Sequence, residues 1–198
     1  MATGRHPNSD DIGLDTVGLT PGGPIEVDDQ LRAVGVAGDW LHATGDINGR
    51  AMFTHQGKYQ ARIAADAIAG RAVAAWTDNH AVPRVAFTDP QVAAVGLTHQ
   101  DAAEAGIDVQ AHTMELSVAG TSLVGRNVSG TAHLVVDAGQ RTIVGATFVG
   151  PAVAEMLHAA TVAIVSGITL DNLWHAVPAF PTVSEIWLRL LEADRGST

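Results

Sequence analysis

The sequence contains no cysteine and few basic residues, and both absences exclude whole classes of function. Without cysteine, the chain can hold no disulfide, no thiol nucleophile and no thiolate metal site. Its 11 Lys and Arg residues are scattered among 21 Asp and Glu, which gives a formal net charge of −10. Nucleic acids and anionic membrane surfaces are both bound through basic clusters, so neither is an expected partner.

Long apolar runs are also missing. No stretch approaches the roughly 18–20 consecutive apolar residues that cross a bilayer, and the N-terminus lacks the charged-then-apolar pattern of a signal peptide. The composition is nevertheless that of a folded protein, with 46% hydrophobic and 16% charged residues. We therefore expect a globular, cytoplasmic protein.

Strand-like patterns dominate the second part of the chain. Two short extended pieces flank Asp89-Pro90, and three longer runs follow at 109–118, 130–137 and 142–150. The loop "DAGQ" between the last two runs predicts a hairpin. Strands followed by helices indicate an α+β domain with an antiparallel sheet.

Helical patterns lie before and after these strands. Residues 55–69 read as a helix closed by Gly70, and Thr98 with Asp101 can cap a short helix that ends at Gly106. The apolar stretch from Pro151 to Gly167 predicts a largely buried helix with the proline in its first turn. A polar spacer near residue 82 marks the expected domain boundary.

The stretch "ATGDINGRAMFTHQGKYQ" (43–60) carries the clearest candidate site. The preceding "WLHAT" (40–44) reads as a short buried strand, so Asp46 would lie just beyond its end, where a carboxylate can hold a ligand hydroxyl. The following helix start offers free N–H groups to an anion or a polar ring edge. Asp46 could instead simply shape the turn before Gly49.

Four motifs together resemble the flavin-dependent pyridine nucleotide-disulfide oxidoreductases, a family that includes dihydrolipoamide dehydrogenase, glutathione reductase and mercuric reductase. The motifs are "ATGRHPN", "LHATGDINGRAMFTHQGKYQARIAADAI", "PRVAFTDPQVAAVGLT" and "AFPTVSE", in the family's order. The resemblance covers only the C-terminal part of such enzymes. It implies that residues 1–81 are the last section of an FAD-binding α/β domain and that 82–198 are a dimerisation domain.

The resemblance also implies cofactor roles for individual residues. Asp46 matches the carboxylate that binds the ribityl chain of FAD, and Gly4 matches a glycine beside the nicotinamide nucleotide of NAD(P)H. Four consecutive residues match the segment whose backbone meets the flavin ring, namely Met52, Phe53, Thr54 and His55. The implied assembly is a homodimer that passes electrons to a small-molecule acceptor.

The motif "AFPTVSE" departs from the family pattern at one position. In members that reduce a disulfide, a histidine precedes the Pro-Thr and a glutamate orients it. Phe180 occupies the histidine position here, and phenylalanine cannot transfer a proton. Glu185 matches the glutamate, and with Thr182 it instead predicts a capping box. Mercuric reductase also lacks this histidine.

Two functions remain open at this point. The chain is either part of an FAD- and NAD(P)H-dependent oxidoreductase that does not use a His–Glu acid/base pair, inactive by itself, or a free-standing dimerisation module without catalysis. No metal site is expected, because Glu155 and His158 are a single unpaired half of a di-metal motif.

Overall fold

The computed structural model describes residues 4–196. These form two compact units that meet in the chain between Asn79 and His80. The first unit contains two 3₁₀ turns, Leu14–Val17 and Gly45–Asn48, and the helix α1, Thr54–Ile68. The short helix α2, Thr77–His80, lies at the boundary.

The core of the first unit is small and built largely from loops. Its buried apolar side chains come from the first 3₁₀ turn, from the loops between the two turns, from α1 and from the segment after α1: Leu14, Ile25, Val27, Leu31, Ala33, Ala43, Ala64 and Ala75. Within residues 4–79 the only β-type pairings are the isolated bridges Val27–Ala33 and Arg32–His42.

The strand predicted over "WLHAT" is therefore wrong. His42 forms a single bridge with Arg32, and Ala43 N–H donates to the Leu31 carbonyl at 3.0 Å. Within the segment only Ala43 is buried, while Trp40 is 61% exposed, so the predicted burial is also mostly wrong. A strand also needs a continuous ladder of backbone partners, and the described residues give this segment only a few isolated contacts.

The second unit is an α+β domain, as predicted. Five strands form one antiparallel sheet in the order β1-β2-β5-β4-β3. Their bounds are Arg84–Ala86 (β1), Gln91–Gly96 (β2), Val109–Glu115 (β3), Thr131–Asp137 (β4) and Thr142–Gly150 (β5). The third strand ends at Glu115, three residues before the predicted end, while the hairpin joining β4 and β5 is confirmed.

The helix α3, His99–Glu104, begins at the predicted Thr98–Asp101 cap, which takes the form of a capping box, and ends two residues before Gly106. Asp101 N–H donates to Thr98 Oγ1 at 3.1 Å, and the Thr98 hydroxyl donates to the Asp101 carboxylate at 2.7 Å. These hydrogen bonds favour the ionised carboxylate and lower the pKa of Asp101.

The helix α5, Val153–Val165, packs on one face of the sheet, against β2 and β5, and this face is called the inner face below. Pro151 lies before the helix and not in its first turn, because Ala152 adopts a left-handed conformation with φ +60° and serves as the N-cap. One face is buried through residues such as Met156 and Ala160. The opposite face, which includes Val162 and Val165, is exposed, so the helix is less buried than predicted.

The C-terminal helix α7, Ile186–Gly196, covers the rest of that inner face. It follows the short helices α4, Thr121–Val124, and α6, Leu170–Leu173. Its buried Asp194 accepts a hydrogen bond from Arg141 at 2.8 Å and lies 3.2 Å from His112 on β3. The hydrogen bond with Asp194 raises the pKa of Arg141. This polar cluster fixes α7 to the sheet, which positions the motif immediately before the helix.

Candidate functional site

Asp46 lies in a surface cleft of about 640 Å³ in the first unit. Its Oδ2 atom is 2.8 Å from the guanidinium of Arg5, which also donates to the Met52 carbonyl at 2.7 Å. The other lining residues are His6, Pro7, Asn8, Pro24, Ile47, Gly49 and Met52. The fold thus brings Arg5 of the first recognised motif beside Asp46 and Met52 of the second.

A buried amide network holds the loop that carries Asp46. The Gln60 Oε1 atom accepts hydrogen bonds from Gly45 N–H at 2.7 Å and from Asn48 Nδ2 at 2.9 Å. Gln60 in turn donates to Asp78, whose other oxygen accepts from Gln56. Gln60 is fully buried, and unpaired buried amides are costly. The network therefore gives the Asp46 loop one fixed conformation on α1.

The segment from Met52 to His55 leads into α1 as predicted. Phe53 is the N-cap residue with extended backbone angles, and its side chain makes no capping hydrogen bond. The Phe53 and His55 rings stack with their centroids 5.3 Å apart. Met52 is 42% exposed and lines the cleft, so the N-terminal end of α1 lies at the cleft beside Asp46. First-turn amides of a helix favour a polar or anionic ligand.

Gly4 precedes the cleft residue Arg5. Its φ of +107° lies in a region that L side chains rarely adopt, while an added Cβ would meet no atom within 4 Å. A glycine is needed here for backbone conformation and not for space.

The C-terminal motif forms a separate site in the second unit. Phe180 is 76% exposed and shares an apolar groove of about 200 Å³ with Glu185 and Leu188. The peptide bond between Phe180 and Pro181 is cis. The residue at the family's histidine position and the family's glutamate are therefore close in space, although no side chain here except Glu185 carries a titratable group.

The capping box predicted for Thr182 and Glu185 is wrong. The Thr182 hydroxyl donates to the Ala179 carbonyl at 2.7 Å, and no side chain caps the 3₁₀ turn Val183–Glu185. Glu185 Oε2 instead accepts a hydrogen bond from Gly120 N–H at 3.1 Å. The carboxylate thus connects two segments that are far apart in the sequence.

Sequence reasoning missed Arg5, Gln60 and Gly120. Arg5 and Gln60 both stand inside recognised motifs, so their positions were a usable signal for the first site. Gly120 stands in no motif. Its importance comes only from close packing, since an added Cβ would lie 2.0 Å from the Thr182 carbonyl carbon.

Residues 4–196 contain neither a metal-binding cluster nor a membrane-spanning helix. No three His, Asp or Glu side chains group there as a metal ion would require. Within the same residues, no helix has the length and apolar character needed to cross a membrane.

The second unit matches a known family. The model of the pyridine nucleotide-disulphide oxidoreductase dimerisation domain covers residues 82–190, more than half of the chain. The solved structure of the HOCl-induced flavoprotein disulfide reductase RclA from Escherichia coli superposes with a TM-score of 0.82 at 24% identity, over 96% of this chain and 44% of that one. At that identity the likeness shows the shared fold.

Curated relatives match along almost the whole chain. Dihydrolipoyl dehydrogenase of Geobacillus stearothermophilus is 35% identical over 100% of this chain and 41% of its own length. Mercuric reductase of Staphylococcus aureus is 31% identical over 93% of this chain and 34% of its own length. The chain thus spans well under half the length of these relatives. The matched model and the antiparallel sheet show that it belongs to the pyridine nucleotide-disulfide oxidoreductase family and contains that family's dimerisation domain.

Proposed function

We propose that the chain is the C-terminal part of a flavin-dependent NAD(P)H oxidoreductase that does not use a His–Glu acid/base pair. Residues 1–81 are then the last section of the FAD-binding domain, and 82–198 the dimerisation domain. The observation that carries the proposal is the exposed Phe180 beside Glu185 in one groove. The carboxylate that would orient an acid/base is present, and the acid/base itself is replaced by an apolar ring.

The cleft around Asp46 fits the cofactor that the family implies. Asp46 Oδ2 is paired with Arg5, and an ionised carboxylate has a second oxygen that can accept from a ribityl hydroxyl. The backbone from Met52 to His55 would meet the flavin ring, and Gly4 would lie beside the nicotinamide nucleotide. FAD supplies reversible two-electron chemistry between NAD(P)H and a second acceptor.

The residues of the Asp46 cleft would orient the cofactor. At the separate C-terminal motif, Phe180 supplies no group that can transfer a proton. Gln60 and Arg5 hold the Asp46 loop, and Asp46 holds the sugar chain of the cofactor. Disulfide exchange needs a positioned proton partner for the thiol, whereas hydride transfer from nicotinamide to flavin does not. The proposed acceptor is therefore a small molecule that takes electrons without acid/base help at this position, such as a quinone or a dye.

The test of this function uses the full-length oxidoreductase encoded by the uninterrupted reading frame around this chain. It should oxidise NADH or NADPH with a quinone or dye, and should turn over dihydrolipoamide or glutathione disulfide poorly. If the DNA upstream instead shows a promoter and ribosome-binding site at Met1 and no flavin domain, the catalytically silent dimerisation module is the correct function.

The isolated chain is expected not to retain FAD tightly. It contains no Gly-x-Gly-x-x-Gly loop for the pyrophosphate, and the cleft supplies one edge of a binding site. Purified protein should be colourless, and its absorbance near the flavin bands should show far less than one FAD per chain. A yellow protein with stoichiometric flavin would contradict this expectation.

The chain is also expected to form a homodimer through the second unit. Val162 and Val165 leave an exposed apolar face on α5, and obligate interfaces cover such faces with on the order of 2,000 Å² or more. Light scattering should give twice the monomer mass of 20.5 kDa, and Val162→Glu should shift it toward the monomer.

A matched control is available in the first unit. Ile68 at the end of α1 is 70% exposed, so Ile68→Glu adds the same charge to an exposed apolar site outside the dimerisation domain and should leave the dimer intact. A wild-type chain that stays monomeric at all concentrations would refute the assembly.

A further inference from the structure

The Arg5 side chain bonds to both parts of the proposed flavin site, the Asp46 loop and the segment from Met52 to His55. Its Nη1 atom is 2.8 Å from Asp46 Oδ2 and 2.7 Å from the Met52 carbonyl oxygen. These partners lie 41 and 47 residues further along the chain, so no local sequence pattern links them. We infer that Arg5 is a positioning residue of the cofactor site, which acts by holding Asp46 and Met52 together. The inference rests on the proposed function.

The ion pair between Arg5 and Asp46 is too weak for the main role of Arg5 to be stabilisation of the fold. The Arg5 and Asp46 side chains are 58% and 57% exposed, and exposed pairs of this kind contribute little to stability because solvent screens them. The first unit also has a buried apolar core and a buried amide network that hold the same loop. Removing Arg5 should therefore leave the fold almost unchanged while loosening the geometry of the cleft.

The hydrogen bonds determine which atoms remain for a ligand. Arg5 donates to Asp46 Oδ2 and so fixes the orientation of the carboxylate, whose second oxygen, Oδ1, would accept from the ligand. The same guanidinium fixes the Met52 carbonyl, immediately before the extended N-cap residue Phe53. A ligand that contacts both the carboxylate and the α1 N-terminus would meet them already at a fixed separation, and preorganisation of this kind raises affinity by lowering the ordering cost.

The first measurement needs no ligand and tests whether Arg5 holds Asp46 and Met52 together, an arrangement called here the Arg5 clamp. Amide hydrogen exchange of the full chain should show that Arg5→Ala accelerates exchange severalfold in both 45–48 and 52–55, with a melting temperature close to wild type. Arg71→Ala is the matched control, since it removes another exposed arginine–aspartate pair, with Asp66, outside the cleft. Acceleration in only one segment, or in neither, would overturn the clamp.

The second measurement tests the cofactor role through binding. FAD and riboflavin are titrated separately into the chain by fluorescence anisotropy, at protein concentrations high enough for weak binding. Arg5→Ala should raise both dissociation constants by a similar factor, about tenfold, equal to about 1.4 kcal/mol, because Arg5 acts through Asp46 and the sugar chain common to both flavins. The dissociation constants of Arg5→Lys should lie between those of wild type and Arg5→Ala, since lysine keeps the charge but not the fork geometry of the guanidinium.

The outcomes separate this inference from the proposed function. A loss confined to FAD would show that Arg5 contacts the phosphates directly, and it would overturn the positioning role while keeping the flavin site. Unchanged constants for both flavins would also overturn it. If the isolated wild-type chain, which supplies only one edge of the binding site, binds neither flavin, flavin content is compared between wild type and Arg5→Ala in the full-length oxidoreductase. Equal flavin content in the two proteins would overturn the cofactor role of Arg5, whereas a wild-type enzyme without flavin would overturn the proposed function.

Discussion

Phe180→His in the full-length oxidoreductase should raise the rate of dihydrolipoamide oxidation by up to roughly 10²- to 10⁴-fold, the usual contribution of a positioned general acid/base. The residue is 76% exposed and lines the same groove as Glu185. Glu185 uses Oε2 for Gly120, which leaves Oε1 to accept from the new imidazole. The measurement is the steady-state dithiol rate of the variant against wild type.

Two control variants define what the gain means. Phe180→Leu keeps an apolar side chain and should stay as slow as wild type. Glu185→Gln added to Phe180→His should remove much of the gain, because an amide orients the imidazole without stabilising its charge. The rate of flavin reduction by NAD(P)H should be the same in all variants. A fast wild-type dithiol rate, unaffected by Phe180→His, would show that another residue transfers the proton.

Gly120→Ala is expected to destabilise the second unit by about 3 kcal/mol or more, the upper end of the range for overpacking. The new Cβ would lie 2.0 Å from the Thr182 carbonyl carbon and 2.2 Å from its oxygen. Both are backbone atoms, so no side-chain rotation relieves the clash. The contact must open, and the hydrogen bond from Gly120 N–H to Glu185 opens with it. Thermal unfolding should show a loss of roughly 10 °C.

Gly196→Ala is the matched control in the same unit. Gly196 ends α7, and an added Cβ there meets no atom within 4 Å. Alanine also favours helix over glycine by up to about 1 kcal/mol, so the control should be neutral or slightly more stable. A Gly120→Ala variant as stable as this control would mean that the segment around Thr182 is free to move away from Gly120.

The sequence by itself determined the elements whose evidence is local. The strands at 131–137 and 142–150 follow alternating apolar patterns, and their short connection leaves few ways to pair them. The Thr98–Asp101 capping box formed because its two partners are three residues apart at the start of one helix, so local geometry brings them together. The apolar stretch after Pro151 also gave a helix, although its first residue depended on the left-handed Ala152, which the pattern does not encode.

Only the tertiary structure decided which partners the polar groups choose. Thr182 and Glu185 have the spacing of a capping box, yet Glu185 bonds to Gly120, 65 residues away in the chain, because the fold brings that amide to the carboxylate. Arg5 likewise meets Asp46 and Met52 only after the first unit has folded. Spacing in the sequence encodes local geometry, whereas a side chain satisfies its hydrogen bonds with whichever group the completed fold places nearest.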